Sequence, residues 1–170
     1  MLKKILLFIA GFIPTFQAHS NEVEVLRWFY GPQKSFAIMA PVTWKENQSN
    51  PELFNISAPN DVAGFTGSAY KFNSETNLTT FASARFSGVM EFYKPVESDI
   101  HTAIDGTEIV IRQFEGNWPG EQKVTSYIVA CATSGEIYAS ISLTLDKSDF
   151  IKKRAVYIKM LETIRVGKST

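Results

Sequence analysis

The side chain best suited to catalysis in this sequence is His101, because the other histidine, His19, lies in a segment that we expect to be removed. A Ser-His-Asp or Cys-His catalytic site would therefore have to use His101. Asp99 lies two residues earlier, so both side chains would share one face of a strand and could begin a metal site. Two ligands are too few for a metal, and no third is obvious. We interpret the pair as part of a surface strand and expect no metal and no cofactor.

Other patterns that could support chemistry are weak. The Gly64-x-x-Gly67-Ser68 segment is rich in glycine, but it lacks the Lys-Ser/Thr ending and the immediately following helix of a phosphate-binding loop. The 17 acidic residues are scattered, and a hydrolase with two carboxylates needs a spatial pair that spacing does not reveal. Cys131 is the only cysteine, which excludes an intrachain disulfide and predicts a small buried residue. We therefore expect a protein that is not an enzyme.

Three aromatic residues are candidates for a partner surface. Trp118 lies in the loop Asn117-Trp118-Pro119-Gly120, where a tryptophan can anchor an interface. Trp28 and Tyr30 lie on an early strand that could be an edge strand and could hold a partner or a ligand. The alternatives are that Trp118 folds back over the edge of the core, and that the early strand is covered on both faces.

Residues 1–20 have the pattern of a secretory signal peptide. Lys3 and Lys4 form its positive start, Ile5 to Ile13 are apolar, and small residues precede a cleavage site after Ser20. The apolar run is shorter than the ~20 residues that span a bilayer. We expect a cleaved, periplasmic or secreted bacterial protein that touches the membrane only through this segment. The alternative is an uncleaved anchor.

Composition excludes some classes of protein. Hydrophobic residues make up 45% and charged residues 20% of the chain, which are ordinary values for a folded protein. Removal of Lys3 and Lys4 leaves 15 basic and 17 acidic residues, a net charge of −2. Nucleic-acid-binding surfaces usually show a basic stripe, so we expect no nucleic-acid partner.

Alternating hydrophobic patterns between turn residues predict eight strands. Their bounds are Glu22–Tyr30, Ser35–Pro41, Leu53–Ala58, Gly64–Phe72, Asp99–Ile104, Thr107–Glu115, Lys123–Thr133 and Glu136–Leu145. Most are joined by short turns, including Gly31-Pro32, Asp105-Gly106 and Ser134-Gly135, and such turns imply antiparallel pairing. Trp44, beyond the stop at Pro41, is predicted to cover one end of the core.

Helical spacing predicts two helices. The first begins near Leu78, with Ser74 or Thr76 as its cap, and stops before Pro95. The second follows a cap at Asp146 or Ser148. Its predicted apolar face consists of Phe150, Ile151, Ala155, Ile158, Leu161 and Ile164. The pattern as a whole predicts a single α+β domain over residues 21–170, in which helices pack on one or both sides of an antiparallel sheet.

Several of these motifs resemble the PsbP-like and DcrB-like proteins. The segment Phe36-x-Ile38-x-x-Pro41-x-x-Trp44 is similar to the opening of that superfamily, and so are Ile104-Asp105-Gly106 and the ending Ile164-Arg165-Val166. The resemblance covers nearly all of the chain after residue 20 and implies an α-β-α sandwich around an antiparallel sheet. It also implies a binding, assembly or adaptor role without shared catalytic residues, so no functional residue is carried over.

The functional expectation follows from these points. We expect an exported, non-catalytic binding or assembly-helper protein of the bacterial envelope, whose partner is an envelope protein or peptide. The alternative is an exported hydrolase or small-ligand-binding enzyme with an unrecognised carboxylate or serine site.

Overall fold

The computed structural model describes residues 25–47, 50–59, 63–73, 75–117, 120, 122 and 124–167. Two helices, α1 (Leu78–Met90) and α2 (Lys147–Glu162), accompany two antiparallel sheets. The strands are β1 (Leu26–Tyr30), β2 (Phe36–Pro41), β3 (Lys45–Glu46), β4 (Phe54–Ser57), β5 (Gly64–Lys71), β6 (Tyr93–Pro95), β7 (Ile100–Ile104), β8 (Thr107–Gly116), β9 (Thr125–Ser134), β10 (Ile137–Asp146) and β11 (Arg165–Val166). The predicted α+β class is confirmed.

The larger sheet has the order β3-β4-β5-β10-β9-β8-β6, and β7 pairs with β8 beside β6. Its centre is built from the three ten-residue strands β8, β9 and β10. The hairpin between β7 and β8 turns at Asp105 and Gly106, which both have positive φ (51° and 76°). Such a turn follows the twist of the paired strands, and this agrees with the hairpin predicted from the Asp-Gly pair.

Helix α1 covers one face of the larger sheet. Its buried residues Phe81 and Phe86 pack with Val129 and Phe114 of the sheet. The Phe86 and Phe114 ring centroids lie 5.8 Å apart in an edge-to-face arrangement. This layer is the smaller of two hydrophobic clusters.

The opposite face packs against α2 and a three-stranded sheet of order β1-β2-β11. Phe29 of β1 and Phe36 and Ile38 of β2 point into this main core, and none is more than 1% exposed. Trp44 is also buried, and its ring centroid lies 5.4 Å from that of Phe65, as the sequence predicted for a residue that covers the core. The sheet therefore has a helix on each side, which is the predicted α-β-α arrangement.

Some local predictions were wrong. The second sheet and the short strands β3, β6 and β11 were not predicted, because two or three residues are too few to give a period-two signal. Asn77, and not Thr76, caps α1, since its side chain accepts a hydrogen bond from the Thr80 amide at 2.9 Å. The other predicted cap, Ser74, lies outside the described residues.

The predicted apolar face of α2 also needs correction. Ile151 is 63% exposed and Ala155 is exposed as well, whereas Tyr157 and Met160 are buried. The helix is therefore rotated toward Tyr157, whose ring stacks on that of Phe150 at 6.4 Å. A tyrosine can be buried along its ring while its hydroxyl stays near polar groups, so residue type alone did not place it.

Candidate partner-binding surface

Strand β1 presents a row of large apolar side chains to solvent. Its residues alternate, so that Phe29 enters the core while Leu26, Trp28 and Tyr30 point outward. The outward residues are 40%, 38% and 56% exposed, respectively. Trp28 and Tyr30, which the sequence singled out, therefore lie on one face, and the alternative of a strand covered on both faces does not hold for the described residues.

Strand β2 lies directly beside this row. Trp28 pairs with Met39 and Tyr30 pairs with Ala37 in the antiparallel register. Ala37 also pairs with Arg165 of β11. Ala37, a small residue in the middle strand, is buried (8% exposed) between Tyr30 on one flank and Arg165 on the other.

Arg165 lies on the other side of Ala37 and is held in place by several partners. Its guanidinium donates to the carboxylate of Asp105 at 3.1 Å and to the backbone carbonyls of Thr163 and Ile164 at 2.9 and 3.0 Å. The guanidinium carbon lies 5.9 Å from the Trp28 ring centroid, at the outer limit of a cation–π contact. This surface therefore combines exposed aromatic side chains with a guanidinium that is already paired with a carboxylate.

The outer edge of β1 is open in the described part of the chain. β1 pairs with β2 along one side, and no strand pairs with its other side among the described residues. An open edge offers backbone donors and acceptors to an extended peptide, and neighbouring apolar side chains can supply specificity. We define the β1 surface as Leu26, Trp28, Tyr30, Ala37, Met39 and Arg165.

Sequence reasoning found this surface only in part. It identified Trp28 and Tyr30, whereas Leu26 and Arg165 were missed. Leu26 follows from the same alternation as Trp28. Arg165 could not have been found without the pairing of β11 with β2, because it lies far away in sequence. Trp118, the third candidate, and the predicted signal segment 1–20 both lie outside the described residues.

Asp99 and His101 do not form a metal site in the described structure. The Asp99 carboxylate accepts two hydrogen bonds from Arg112, at 2.6 and 2.7 Å, while His101 lies exposed on β7. No group of three potential His, Cys, Asp or Glu ligands lies together among the residues that the structure describes. The hydrogen bond to Asp99 raises the pKa of Arg112 above its usual value, so the guanidinium remains charged.

The glycine-rich segment lies inside strand β5, which is incompatible with a phosphate-binding loop. A Cβ atom at Gly67 would lie 3.0 Å from the Ser140 carbonyl and 3.3 Å from the Phe36 ring, so this glycine allows close packing. Cys131 is fully buried, as predicted, and burial raises the pKa of its thiol to about 12. Such a thiol stays protonated at neutral pH and is a poor nucleophile.

Comparison with solved structures identifies the fold. The chain is similar to cyanobacterial PsbP (CyanoP) from Synechocystis sp. PCC 6803, with a TM-score of 0.60 and 10% identity over 91% of this chain and 99% of that chain. PA94, a protein of unknown function from Pseudomonas aeruginosa, matches with a TM-score of 0.53 and 13% identity over 85% of this chain and 99% of that chain. A protein from Bacteroides thetaiotaomicron matches with a TM-score of 0.59 and 17% identity over 84% of this chain. This chain spans 48% of the length of the Bacteroides protein.

No protein-family model and no curated protein sequence matches this chain. At these identities, structural similarity establishes the fold alone. The chain has the PsbP-like fold that its sequence motifs predicted. No helix in the described part of the chain is long and apolar enough to cross a bilayer.

Proposed function

We propose that this chain is an exported, non-catalytic binding or assembly-helper protein of the bacterial envelope. The observation that carries the proposal is the exposed row Leu26, Trp28 and Tyr30 on β1, whose outer edge pairs with no strand of the described residues. Scattered apolar residues are common on protein surfaces, but a contiguous row of this kind is typical of an interaction site. The partner is an envelope protein or peptide that contributes an extended segment.

The chemistry of the β1 surface fits that partner. An added strand would pair with the free backbone groups of β1, and alternate side chains of the added strand would meet Trp28 and Tyr30. Tryptophan and tyrosine bind through a large rigid area and lose little conformational entropy, which makes them frequent interface anchors.

Export is part of the proposal and rests on the predicted signal at residues 1–20. Its test is the intact mass of the protein recovered from each compartment of the native host. We expect a chain that begins at Asn21 in the periplasmic or secreted fraction. A full-length chain in the membrane fraction would contradict cleavage and favour the anchor.

The binding role is tested by affinity capture from the envelope fraction with matched variants. The double variant Trp28→Ser, Tyr30→Ser should lose a partner that the wild-type protein retains, because both anchors are removed. Ile151→Ser is the control, since Ile151 is a similarly exposed apolar residue on α2, outside the β1 surface. Equal capture by all three proteins would overturn the assignment of the β1 surface.

A further inference from the structure

A second feature lies on the opposite side of the molecule, where α1 crosses the larger sheet. Arg85, Gly88 and Val89 are three and four residues apart, so they share one side of α1, and Phe92 follows just after the helix ends. Together with sheet residues they line an open groove of about 370 Å³. The sheet contributes Tyr127, Val129, Ser140 and Ser142.

Arg85 is a half-buried cation without an anionic partner in the described structure. Its guanidinium carbon lies 4.2 Å from the Tyr70 ring centroid and 5.4 Å from that of Phe81. No described residue accepts a hydrogen bond from it or pairs with its charge. By contrast, Arg112 and Arg165 each donate to a carboxylate. The two rings hold the Arg85 guanidinium in place and leave its donors free, which favours binding of an anion.

The floor of the groove adds hydroxyl groups near this charge. Ser140 and Ser142 point to the same side of β10, and the Ser142 hydroxyl lies 3.0 Å from that of Thr66. Ser140 lies opposite Cys131 in the pairing of β10 with β9, and the charge of Arg85 acts to lower the Cys131 pKa against the larger effect of burial. Arg85, Ser140 and Ser142 line the same groove, so the guanidinium and the two hydroxyls border one space.

Gly88 keeps the groove open. It occupies the interior of α1, where glycine destabilises a helix by roughly 0.5–1 kcal/mol relative to alanine. A Cβ atom added there would meet no protein atom within 4 Å, so packing within the described chain does not require glycine. The space beside it is the groove, and a larger side chain would fill that space.

We propose that this groove binds a small organic carboxylate that carries an apolar body. Arg85 binds the carboxylate with help from the Ser140 and Ser142 hydroxyls, while the apolar body packs on Val89, Phe92 and Tyr127. This site is separate from the β1 surface and does not depend on the proposed partner. The carboxylate could belong to a free metabolite or to the C-terminus of a peptide.

Titration of the full chain with phenylacetate, followed by backbone amide NMR, tests this assignment. Phenylacetate should bind with about millimolar affinity and shift the amide signals of Gly88, Ser140 and Ser142. Phenylacetamide, which has the same ring without the charge, and inorganic phosphate, which has charge without the ring, should both bind at least severalfold more weakly. A short peptide that ends in phenylalanine identifies a peptide C-terminus as the source if it binds more tightly than phenylacetate, and a free small carboxylate if it does not.

Two variants and a control make the test specific. Arg85→Gln should weaken phenylacetate binding about tenfold, because a charge-assisted hydrogen-bond pair is lost. Gly88→Leu retains Arg85 but fills the groove, and it should abolish the shifts while the protein stays folded. Arg27→Gln, which removes an exposed arginine from above the Phe29 ring, should leave binding unchanged. Equal binding of phenylacetate and phenylacetamide, or unchanged binding by Arg85→Gln and Gly88→Leu, would overturn the proposal.

Discussion

Asp99 and Arg112 form a two-point ion pair, in which the guanidinium Nε lies 2.6 Å and Nη2 lies 2.7 Å from the two carboxylate oxygens. The guanidinium carbon of Arg112 also lies 4.3 Å from the centroid of the Phe86 ring on α1. One arginine therefore joins the segment before β7, strand β8 and helix α1. This arrangement explains why Asp99, which by spacing could have begun a metal site with His101, has a structural role.

Loss of this ion pair should be measurable as a loss of stability. Asp99→Asn should lower the free energy of unfolding by about 1–2 kcal/mol, because it leaves the partly buried Arg112 charge without its counter-ion. Chemical denaturation provides the measurement. The matched control is Glu136→Gln, which breaks the exposed Lys71–Glu136 pair (66% and 56% side-chain exposure) and should change stability by less than about 0.5 kcal/mol. Equal effects of the two substitutions would contradict the structural role of Asp99.

The start of α1 gives a second prediction. Asn77→Ala should lower the free energy of unfolding by about 1 kcal/mol, because the Thr80 amide loses its acceptor, the Asn77 side-chain oxygen 2.9 Å away. Thermal or urea unfolding measures the change. Thr76→Ala is the control, and it should have a smaller effect because Asn77 is the capping residue. A larger loss of stability for Thr76→Ala than for Asn77→Ala would contradict this assignment and favour Thr76, one of the two caps predicted from the sequence.

The buried thiol predicts a dependence on alkaline pH. Burial raises the Cys131 pKa from 9.0 to about 12, so above pH 9 the thiol ionises in the unfolded chain while it stays protonated in the folded one. The unfolded state then binds fewer protons, and the stabilising contribution of the thiol is full below pH 9 and falls as pH rises toward 12. Unfolding free energies of wild type and Cys131→Ala, measured from pH 8 to pH 11, isolate this effect (roughly 1.4 kcal/mol per pH unit above the unfolded pKa). A difference between the two proteins that stays constant with pH would contradict it.

The β1–β2 hairpin requires glycine at position 31. A Cβ atom there would lie 2.4 Å from an atom of the buried Phe36 ring, so Gly31→Ala should destabilise the protein by about 1–3 kcal/mol through overpacking. Gly88→Ala provides the comparison, because a Cβ atom at position 88 meets nothing within 4 Å. This substitution should stabilise α1 by roughly 0.5–1 kcal/mol. Thermal melts of both variants check the opposite signs. A neutral Gly31→Ala would show that the Phe36 ring can move.

The eight longer strands and the two helices of this fold could be predicted because each has a strong local signal. β10 alternates apolar residues over its whole length, and the Asp105-Gly106 pair specifies the turn between β7 and β8, with positive φ at both residues. Tertiary contacts determine the features that local sequence patterns did not predict. The rotation of α2 that exposes Ile151 depends on the surface beneath the helix, and the pairing of β11 with β2 is a contact between distant segments.

The candidate sites also consist of residues that local sequence patterns predicted and residues that only tertiary contacts bring together. Trp28 and Tyr30 could be identified because aromatic residues in an alternating strand are visible in one short segment. Arg165 could be assigned to that surface only once the strand order β1-β2-β11 was known. Sequence analysis did not find the groove lined by Arg85. The groove joins α1 to β9 and β10, which are distant in sequence. Its main signal in the sequence is only the three- and four-residue spacing of Arg85, Gly88, Val89 and Phe92.

The most direct test of the binding role is site-specific photo-crosslinking in living cells of the native host. A photoreactive phenylalanine derivative replaces Trp28, Tyr30 or, as the control, Ile151 in turn. We predict that the first two positions give adducts with the same envelope protein or peptide and that Ile151 does not, because only the first two lie on the β1 surface. Absence of an adduct at both Trp28 and Tyr30, or the same adduct at Ile151, would contradict the assignment of β1 as the partner-binding edge.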